Sequence, residues 1–321
     1  MVAILLVVRG FSLAADKRQE GEAVISRASQ LSNLESEGSA PFVLRISWTA
    51  LTLASGPAQG KYVLLWASVD KWREEVTLAN FAQVRVGGKD RVWTKRNIDL
   101  RPYAVGQISS LVDNLWKLAP MQDENIVKVF TRSENGFSLK CVDLQKENRG
   151  KRTLCFSSSG EIVSSDSTSS GSVYEYSDFS AFGGRSFPRK LRVTKRGIPL
   201  IGAEVDDLAG ETSSSAELFL PPAGAVEKQA CEHPTQPKLV SKVSPTYPMS
   251  ARQQHHEGSV IIFAVIETDG SVQNTAVIQT AGTDLDEAAL TAVKQWRYSP
   301  TTCGNTPISE ETEITVNFTL Q

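Results

Sequence analysis

The four cysteines are the residues whose type and spacing most narrowly limit their chemistry. Cys141 and Cys155 flank a polar turn, 145–151, between two segments that read as strands. The midpoint of the pair falls in that turn, so the two side chains are expected opposite each other across a hairpin, where the Cβ spacing suits a disulfide. Cys231 and Cys303 remain as a second candidate disulfide, and the alternative is four free thiols. Neither pair has the C-x-x-C spacing of a zinc or redox site.

The three histidines are the other residues that could support catalysis or metal binding, and all of them lie between residues 233 and 256. His255 and His256 are adjacent, so on a helix they point in different directions, and no third ligand is spaced to complete a metal site with them. The sequence also lacks a nucleophile elbow, a phosphate-binding loop, an H-E-x-x-H pair and a dinucleotide fingerprint. We therefore predict that the chain is not an enzyme and needs no cofactor or metal.

The composition indicates a globular protein of two domains. The chain has 321 residues, of which 40% are hydrophobic and 22% are charged, so its length allows a sizeable core. Its formal net charge is −2, with no basic block of the kind that nucleic-acid-binding proteins carry. We expect no nucleic-acid partner.

The first fifteen residues have the features of a signal peptide. An apolar run, Met1–Val8, is followed by small residues with a plausible cleavage point after Ala15, and the run is too short to span a bilayer. The alternative is a buried N-terminal strand. We expect export to the periplasm or cell envelope, where disulfides form, or an inner-membrane anchor if the true start lies upstream.

The last eighty residues have the pattern of a small α/β domain. A short helix after Pro248 is expected to end at Gly258, and a second helix from Asp284 has an apolar stripe ending at Trp296. Asp284 and Glu287 have the spacing of a capping box. Strands are predicted over Ser259–Glu267, Ser271–Gln279 and Ile314–Leu320, with a tight turn at Asp269-Gly270.

This order of elements resembles the TonB C-terminal domain over residues 237–321. The residues that carry the resemblance are Tyr247, Pro248, Arg252, Gly258, Asp269, Gly270, Trp296 and Pro300. The resemblance implies a cell-envelope protein of a Gram-negative-type bacterium, related to TonB-dependent transport, whose edge strand pairs with a peptide of an outer-membrane receptor or another envelope protein. It places the edge on the final strand, at Glu313, Ile314, Thr315, Val316, Asn317 and Phe318. Since the N-terminal run is short and the preceding linker holds few prolines, we expect a docking module rather than a force transducer.

The region before this domain is rich in predicted strands. Helices are expected over 18–37 and Val105–Leu118, and strands from Phe42 onward, including one over Trp72–Val86 and a hairpin at Gly87-Gly88. The serine-rich stretch Ser157–Gly171 is expected to be a hairpin tip or loop. This layout, with the run Gly60–Trp66, resembles the LolA/LppX-like periplasmic lipoprotein carriers, in which a curved antiparallel half-barrel covers an apolar cavity. The resemblance implies a lipid or lipoprotein ligand.

The predicted fold class is therefore α+β, with a signal peptide at 1–15, a β-rich domain at 16–222, a linker at 223–244 and the TonB-type αββαβ domain at 237–321. The first strand of that domain also has a second apolar face, formed by Ile261, Phe263 and Val265. We expect this face either to be an ordinary part of a central strand or to dock, on the N-terminal domain or on a second copy of the module in a homodimer. Two functions remain: a partner-binding module, or a carrier whose N-terminal half-barrel holds the ligand.

Overall fold

The computed structural model describes residues 3–51, 56–88, 90–120, 124–134, 136–146, 150–168, 170–211, 215–229, 231 and 234–320. Only the backbone is described for residues 3–16 and 146. The described residues are mostly β with four α-helices, and the predicted class, a large antiparallel sheet plus a small C-terminal domain, is confirmed.

The four helices are α1 (Ala3–Ser32), α2 (Tyr103–Trp116), α3 (Met249–Gln253) and α4 (Thr283–Val293), with a single 3-10 turn at Ala216–Phe219. The second predicted helix is confirmed with a shift of two residues. The first, expected over 18–37, instead begins at Ala3 and ends at Ser32, whose hydroxyl donates to the carbonyl oxygens of Ala28 and Leu115. Helical structure at 3–15 does not test the signal peptide. Among the described residues, no helix is both long and apolar enough to cross a membrane.

The strands of the first two-thirds of the chain are β1 (Phe42–Ala50), β2 (Ala58–Ser68), β3 (Lys71–Leu78), β4 (Phe81–Gly87), β5 (Arg91–Arg96), β6 (Glu124–Glu134), β7 (Phe137–Lys146), β8 (Lys151–Phe156), β9 (Ile162–Ser167), β10 (Ser172–Phe182), β11 (Arg185–Lys195) and β12 (Ile198–Gly210). Those that follow are β13 (Val226–Gln229), β14 (Lys238–Ser241), β15 (Gly258–Ile266), β16 (Val272–Gln279), β17 (Arg297–Ser299), β18 (Thr301–Cys303), β19 (Thr306–Ile308) and β20 (Glu310–Phe318).

Two segments differ from their predicted secondary structure. The predicted strand Trp72–Val86 is interrupted, because Ala79 adopts a left-handed conformation (φ 50°) in the turn between β3 and β4. The serine-rich stretch Ser157–Gly171, expected to be a loop, contains β9, which pairs with both β8 and β10. Ser165 of β9 is buried although its side chain is polar. The sequence of β9 therefore lacks the alternation of apolar and polar residues that usually indicates a strand.

The chain packs as two compact units. The first comprises residues 1–52, 57–79 and 107–220, and the second comprises 53–56, 80–106 and 221–321. The predicted domain boundaries at residues 222 and 237 stay a prediction. The second unit joins the C-terminal region to residues 80–106, which lie far away in the sequence.

The first unit contains an open antiparallel sheet with strand order β3-β2-β1-β12-β11-β10-β9-β8-β7-β6. Its core lies on one face of this sheet, where α1 and the 107–116 part of α2 pack. The Tyr176 hydroxyl of β10 donates to the Leu111 carbonyl oxygen of α2 at 3.0 Å, and the Trp116 ring stacks on Phe187 of β11. Apolar residues at alternate positions of the strands therefore determine which face the helices cover.

The second unit contains two larger groups of antiparallel strands. One has the order β13-β5-β4 and the other the order β16-β15-β20, with α4 packed on one face of the second group. Two short ladders, β14-β17 and β18-β19, complete the unit. The segment 223–244, predicted to be a linker, thus contributes two strands, β13 and β14, that pair with β5 and β17.

Candidate functional site

The final strand, β20, forms one edge of the three-stranded sheet. It pairs antiparallel with β15 over nine consecutive residue pairs, from Gly258 opposite Phe318 to Ile266 opposite Glu310, without a register shift. The other edge, β16, pairs with β15 through two register shifts. In the part of the chain that the structure describes, β20 has a strand partner on one side only.

One face of β20 anchors it in the core of the domain. Ile314, Val316 and Phe318 are buried, and they pack with the apolar stripe of α4 and with Trp296. The ring of Phe318 meets that of Tyr247 edge to face, with 5.5 Å between the centroids. The predicted edge residues therefore alternate between buried residues and the more accessible Glu313, Thr315 and Asn317, as the alternation of the strand requires.

The opposite face of the N-terminal half of β20 carries ion pairs. A guanidinium nitrogen of Arg96 lies 2.7 Å from Glu311, the Lys228 ammonium lies 3.2 Å from the same carboxylate, and Arg101 lies 3.6 Å from Glu313. Burial alone would raise the pKa of Glu311, but the hydrogen bond and charge of Arg96, together with Lys228, outweigh it and lower the pKa to about 2. No local pattern in the sequence indicated these ion pairs, because the partners of each pair lie at least 83 residues apart.

The second apolar face of β15 is covered within the single chain. Ile261 is 1% exposed and Phe263 is 3% exposed. Residues 80–106 of the same unit lie on this side of the sheet, since Arg96 and Arg101 bind the β20 carboxylates there. The face is therefore buried on the side of residues 80–106, which belong to the predicted N-terminal domain, and the homodimer stays a prediction.

The predicted family residues serve mainly to shape the domain. The Tyr247 hydroxyl donates to the His256 carbonyl oxygen at 2.5 Å, and the Arg252 guanidinium lies 5.8 Å from the centre of the Tyr247 ring. The Trp296 indole donates to the Val243 carbonyl oxygen at 2.8 Å. Pro248 is the residue before α3, and Pro300 lies between β17 and β18.

The glycines of the motif occupy positions where a side chain would not fit. Gly270 has a φ of 79°, and a Cβ there would collide with the carbonyl oxygen of Tyr298. Gly258 does not end a helix as expected: it begins β15, and a Cβ would lie 2.8 Å from that of Ala281. Asp269 accepts the Ser271 amide at 2.8 Å, and hydrogen bonds from Ser271 lower the pKa of its carboxyl group.

The start of α4 differs from the predicted capping box. The residue before the helix is Gly282, and no side chain caps it in the expected way. Asp284 accepts from the Ser250 hydroxyl at 2.9 Å, and Glu287 is exposed. Asp286 instead holds the preceding turn, accepting the Ala281 amide at 3.0 Å and the Thr280 hydroxyl at 2.6 Å. The capping-box prediction was wrong because α4 begins at Thr283, so that Asp284 lies inside the first turn and not at the N-cap.

Both candidate disulfides are present. Cys141 and Cys155 are directly opposite on β7 and β8, with 4.1 Å between their Cα atoms, and they pack with Leu139, Phe130 and Val163. Cys231 and Cys303 form the second bond and connect the start of the C-terminal region to β18.

The histidines form no metal cluster in the part of the chain that is described. His255 has a left-handed backbone, and His256 Nδ1 lies 3.7 Å from Asp284 Oδ1. No group of three potential ligands is found among the described residues, and His233 lies outside them.

The first unit has a groove of about 1210 Å³. Its floor contains one row of cross-strand neighbours on five adjacent strands: Glu175, Arg192, Gly202, Thr49 and Gln59. The neighbouring positions Tyr176 and Leu191 point to the core. The side chains of this row therefore lie on the face of the sheet opposite α2, and apolar residues, among them Trp48, Leu51 and Phe179, also line the groove.

Comparison with known proteins identifies the C-terminal region. The model of the family described as Gram-negative bacterial TonB protein C-terminal matches residues 243–320. Protein TonB of Vibrio cholerae is 34% identical over 87 residues, which are 26% of this chain and 36% of that protein. Protein TonB of Xanthomonas campestris pv. campestris is 30% identical over 77 residues, 24% of this chain and 34% of that protein. The match thus spans about a third of the length of these relatives.

Solved structures with a similar arrangement include members of the LolA superfamily. A LolA superfamily protein from Nitrosomonas europaea has 11% identity and a TM-score of 0.42, covering 62% of this chain and 97% of that one. A putative outer membrane lipoprotein-sorting protein domain from Vibrio parahaemolyticus has 11% identity and a TM-score of 0.43, covering 63% and 97%. These likenesses say nothing of what the region binds.

The element order of the C-terminal domain agrees with the sequence match to the TonB C-terminal family. The observed order of α3, β15, β16, α4 and β20 is the predicted αββαβ order. The matched family is one of non-enzymatic binding domains. Residues 243–320 are therefore similar to the TonB C-terminal domain family.

Proposed function

We propose that this chain is an exported cell-envelope protein whose TonB-type domain binds an extended peptide of an envelope partner, such as an outer-membrane receptor, by strand addition to β20. An edge strand offers backbone groups that an incoming extended segment can pair with. The observation that carries the proposal is the regular register of β20 against β15 over nine residue pairs.

The regularity of β20 favours it over the opposite edge of the sheet. Register shifts bend and twist a strand, and bulged edges resist the addition of another strand. β16 pairs with β15 through two such shifts, whereas β20 has none. Buried Ile314 and Val316 on one face and the Glu311–Arg96 pair on the other also fix the strand from both sides.

Export is supported by the two disulfides and by the family match. Disulfides persist in oxidising compartments such as the bacterial periplasm. Both bonds link residues of different strands or segments, and the matched family is described as Gram-negative bacterial. We place the protein in the periplasm or cell envelope and regard residues 1–15 as its signal peptide.

The test is a photo-crosslinking experiment with a synthetic peptide that copies the N-terminal segment of an outer-membrane receptor from the same bacterium. A photoreactive residue replaces exposed Asn317 on β20 or, as the matched control, exposed Gln273 on β16. Strand addition predicts crosslinks from position 317, at alternate residues of the peptide, and few from position 273. Equal crosslinking from both positions, or peptide binding that leaves the amide exchange of β20 unchanged, would refute the proposal.

The groove of the first unit favours a second candidate function, in which the N-terminal region carries a ligand. A volume of about 1210 Å³ is sufficient for a small lipid or a short peptide. The lipid or lipoprotein expected from the sequence is tested by mass spectrometry of the purified protein. Co-purifying lipid that is lost when Phe137 at the groove is replaced by Asp would support this function, and lipid-free protein that takes up no added lipid would exclude it.

A further inference from the structure

We propose that the groove of the first unit binds an extended, basic peptide segment with apolar side chains. The inference goes beyond strand addition at β20, and each can fail without the other. It starts from the charges of the lining, which contains five carboxylates, at Glu134, Glu161, Glu175, Asp178 and Glu204, against two cations, at Lys190 and Arg192.

The carboxylates are distributed along the groove. Glu175 and Glu204 lie on the floor, on strands β10 and β12, and Asp178 lies beside Lys190 at 4.0 Å. Glu161 stands in the β8–β9 wall, where hydrogen bonds from Ser157 and Ser186 more than offset the effect of burial and lower the pKa of its carboxyl group. Glu134 is paired with Arg132 at 2.8 Å, and the carboxylates that remain in excess along the elongated groove complement a ligand with spaced cations.

The length of the floor matches a peptide rather than a single cation. The row from Glu175 to Gln59 crosses five adjacent strands, which is about 19 Å at the usual strand spacing. An extended peptide rises about 3.3 Å per residue, so about six residues would cover this distance. Gly202, in the middle of the row, has open space above it, because a Cβ built there meets no atom within 4 Å.

One end of the groove supplies an apolar contact. Phe137, at the tip of the β6–β7 turn, is 73% exposed, and Leu139 and Val163 lie beside the Cys141–Cys155 disulfide in a small cluster. An exposed aromatic ring at a groove is a common anchor for a partner side chain. Glu175 and Glu204 on the floor favour a ligand with cations over a neutral chain, because a neutral chain would bury their charges without pairing them.

The test uses the full chain and a fluorescein-labelled hexapeptide of alternating lysine and leucine, measured by fluorescence anisotropy. We expect binding that weakens as salt rises from about 0.05 to about 0.5 M, as charge complementarity requires. A hexapeptide of alternating glutamate and leucine should bind at least about tenfold more weakly. Equal binding of both peptides would overturn the proposal.

Variants locate the site. The double variant Glu175→Gln/Glu204→Gln should weaken binding of the lysine–leucine peptide about tenfold or more, and Phe137→Ala should weaken it severalfold. The matched controls are Glu22→Gln/Glu217→Gln and Val127→Ala, which change exposed residues outside the groove lining. Circular dichroism checks that each variant is folded.

Two further outcomes would overturn the inference. One is unchanged peptide binding in the groove variants, which would place the peptide elsewhere. The other is binding of a fluorescent fatty acid in the groove, lost in Phe137→Ala, without any binding of the lysine–leucine peptide, which would make the site a lipid site. Neither result depends on crosslinking at β20, so failure of strand addition is distinguished from failure of this proposal.

Discussion

The Arg96 guanidinium and the Glu311 carboxylate, 215 positions apart in the sequence, form a 2.7 Å ion pair in which both side chains are largely buried. Arg96 also donates to Gln83 at 2.7 Å, and Lys228 reaches the same carboxylate from β13. The pair therefore ties β4, β5 and β13 to the edge strand β20 within one compact unit. This contact explains why residues 80–106 pack with the TonB-type domain.

The Glu311 pair makes the stability of the protein depend on pH. Because the pKa of Glu311 falls from 4.5 to about 2 on folding, the carboxylate stabilises the folded state above about pH 4.5, and this contribution is lost as the pH falls toward 2. Glu311→Gln should lower the free energy of unfolding by about 2 kcal/mol at pH 7. Urea unfolding at several pH values should show the difference from the unsubstituted protein shrinking below pH 4.5.

The control for this prediction is Glu227→Gln, which removes an exposed pair with Arg91. Exposed pairs contribute little, so this change should cost less than about 1 kcal/mol. A Glu311→Gln protein whose stability equals that of the control at pH 7 would contradict the prediction.

Gly270 should tolerate no side chain. Gly270→Ala adds the strain of a left-handed φ and a collision with the carbonyl oxygen of Tyr298, so we expect a loss of more than about 2 kcal/mol. The matched control is Gly304→Ala, where φ is 60° but the space around the Cβ is open, and about 1 kcal/mol is expected. Thermal unfolding followed by circular dichroism measures both. Similar losses for the two variants would show that the collision is relieved at little cost.

The turn before α4 should depend on Asp286 rather than on the predicted capping pair. Asp286→Ala removes the acceptor of the Ala281 amide and should destabilise the protein by about 1 kcal/mol. Glu287→Ala, at an exposed position, should change stability by less than about 0.5 kcal/mol. Chemical denaturation measures the free energy of unfolding of both variants. A larger loss for Glu287→Ala than for Asp286→Ala would contradict the prediction and favour the capping box.

The two disulfides should contribute unequally. Loop-closure entropy predicts about 4 kcal/mol for the 72-residue separation of Cys231 and Cys303, against about 3 kcal/mol for the 14-residue separation of Cys141 and Cys155. Double Cys→Ser variants of each pair, compared by urea unfolding with every other cysteine intact, measure the two contributions. A larger loss from the Cys141–Cys155 pair would mean that its packing with Leu139 and Phe130 outweighs the difference in loop length.

Local sequence patterns were sufficient to predict features that depend on one element or one hairpin. The alternation at Ile314, Val316 and Phe318 predicted which face of β20 is buried, and the position of Cys141 and Cys155 around a polar turn predicted a cross-strand disulfide. The order of elements and the glycine at the Asp269-Gly270 turn predicted the TonB-type fold. In each case the interacting residues are close in sequence or follow a fixed period, so the pattern carries the information.

Tertiary structure decided everything that joins distant segments. The Glu311–Arg96 pair and the placement of 80–106 in the second unit depend on contacts between segments far apart in the chain, and no local pattern encodes them. The groove of the first unit depends on the register of five strands, which places Glu175, Gly202 and Gln59 in one row. The alternation of residues in a single sequence predicts which face of each strand is buried. It does not predict which strands pair, because pairing depends on the packing of the whole sheet.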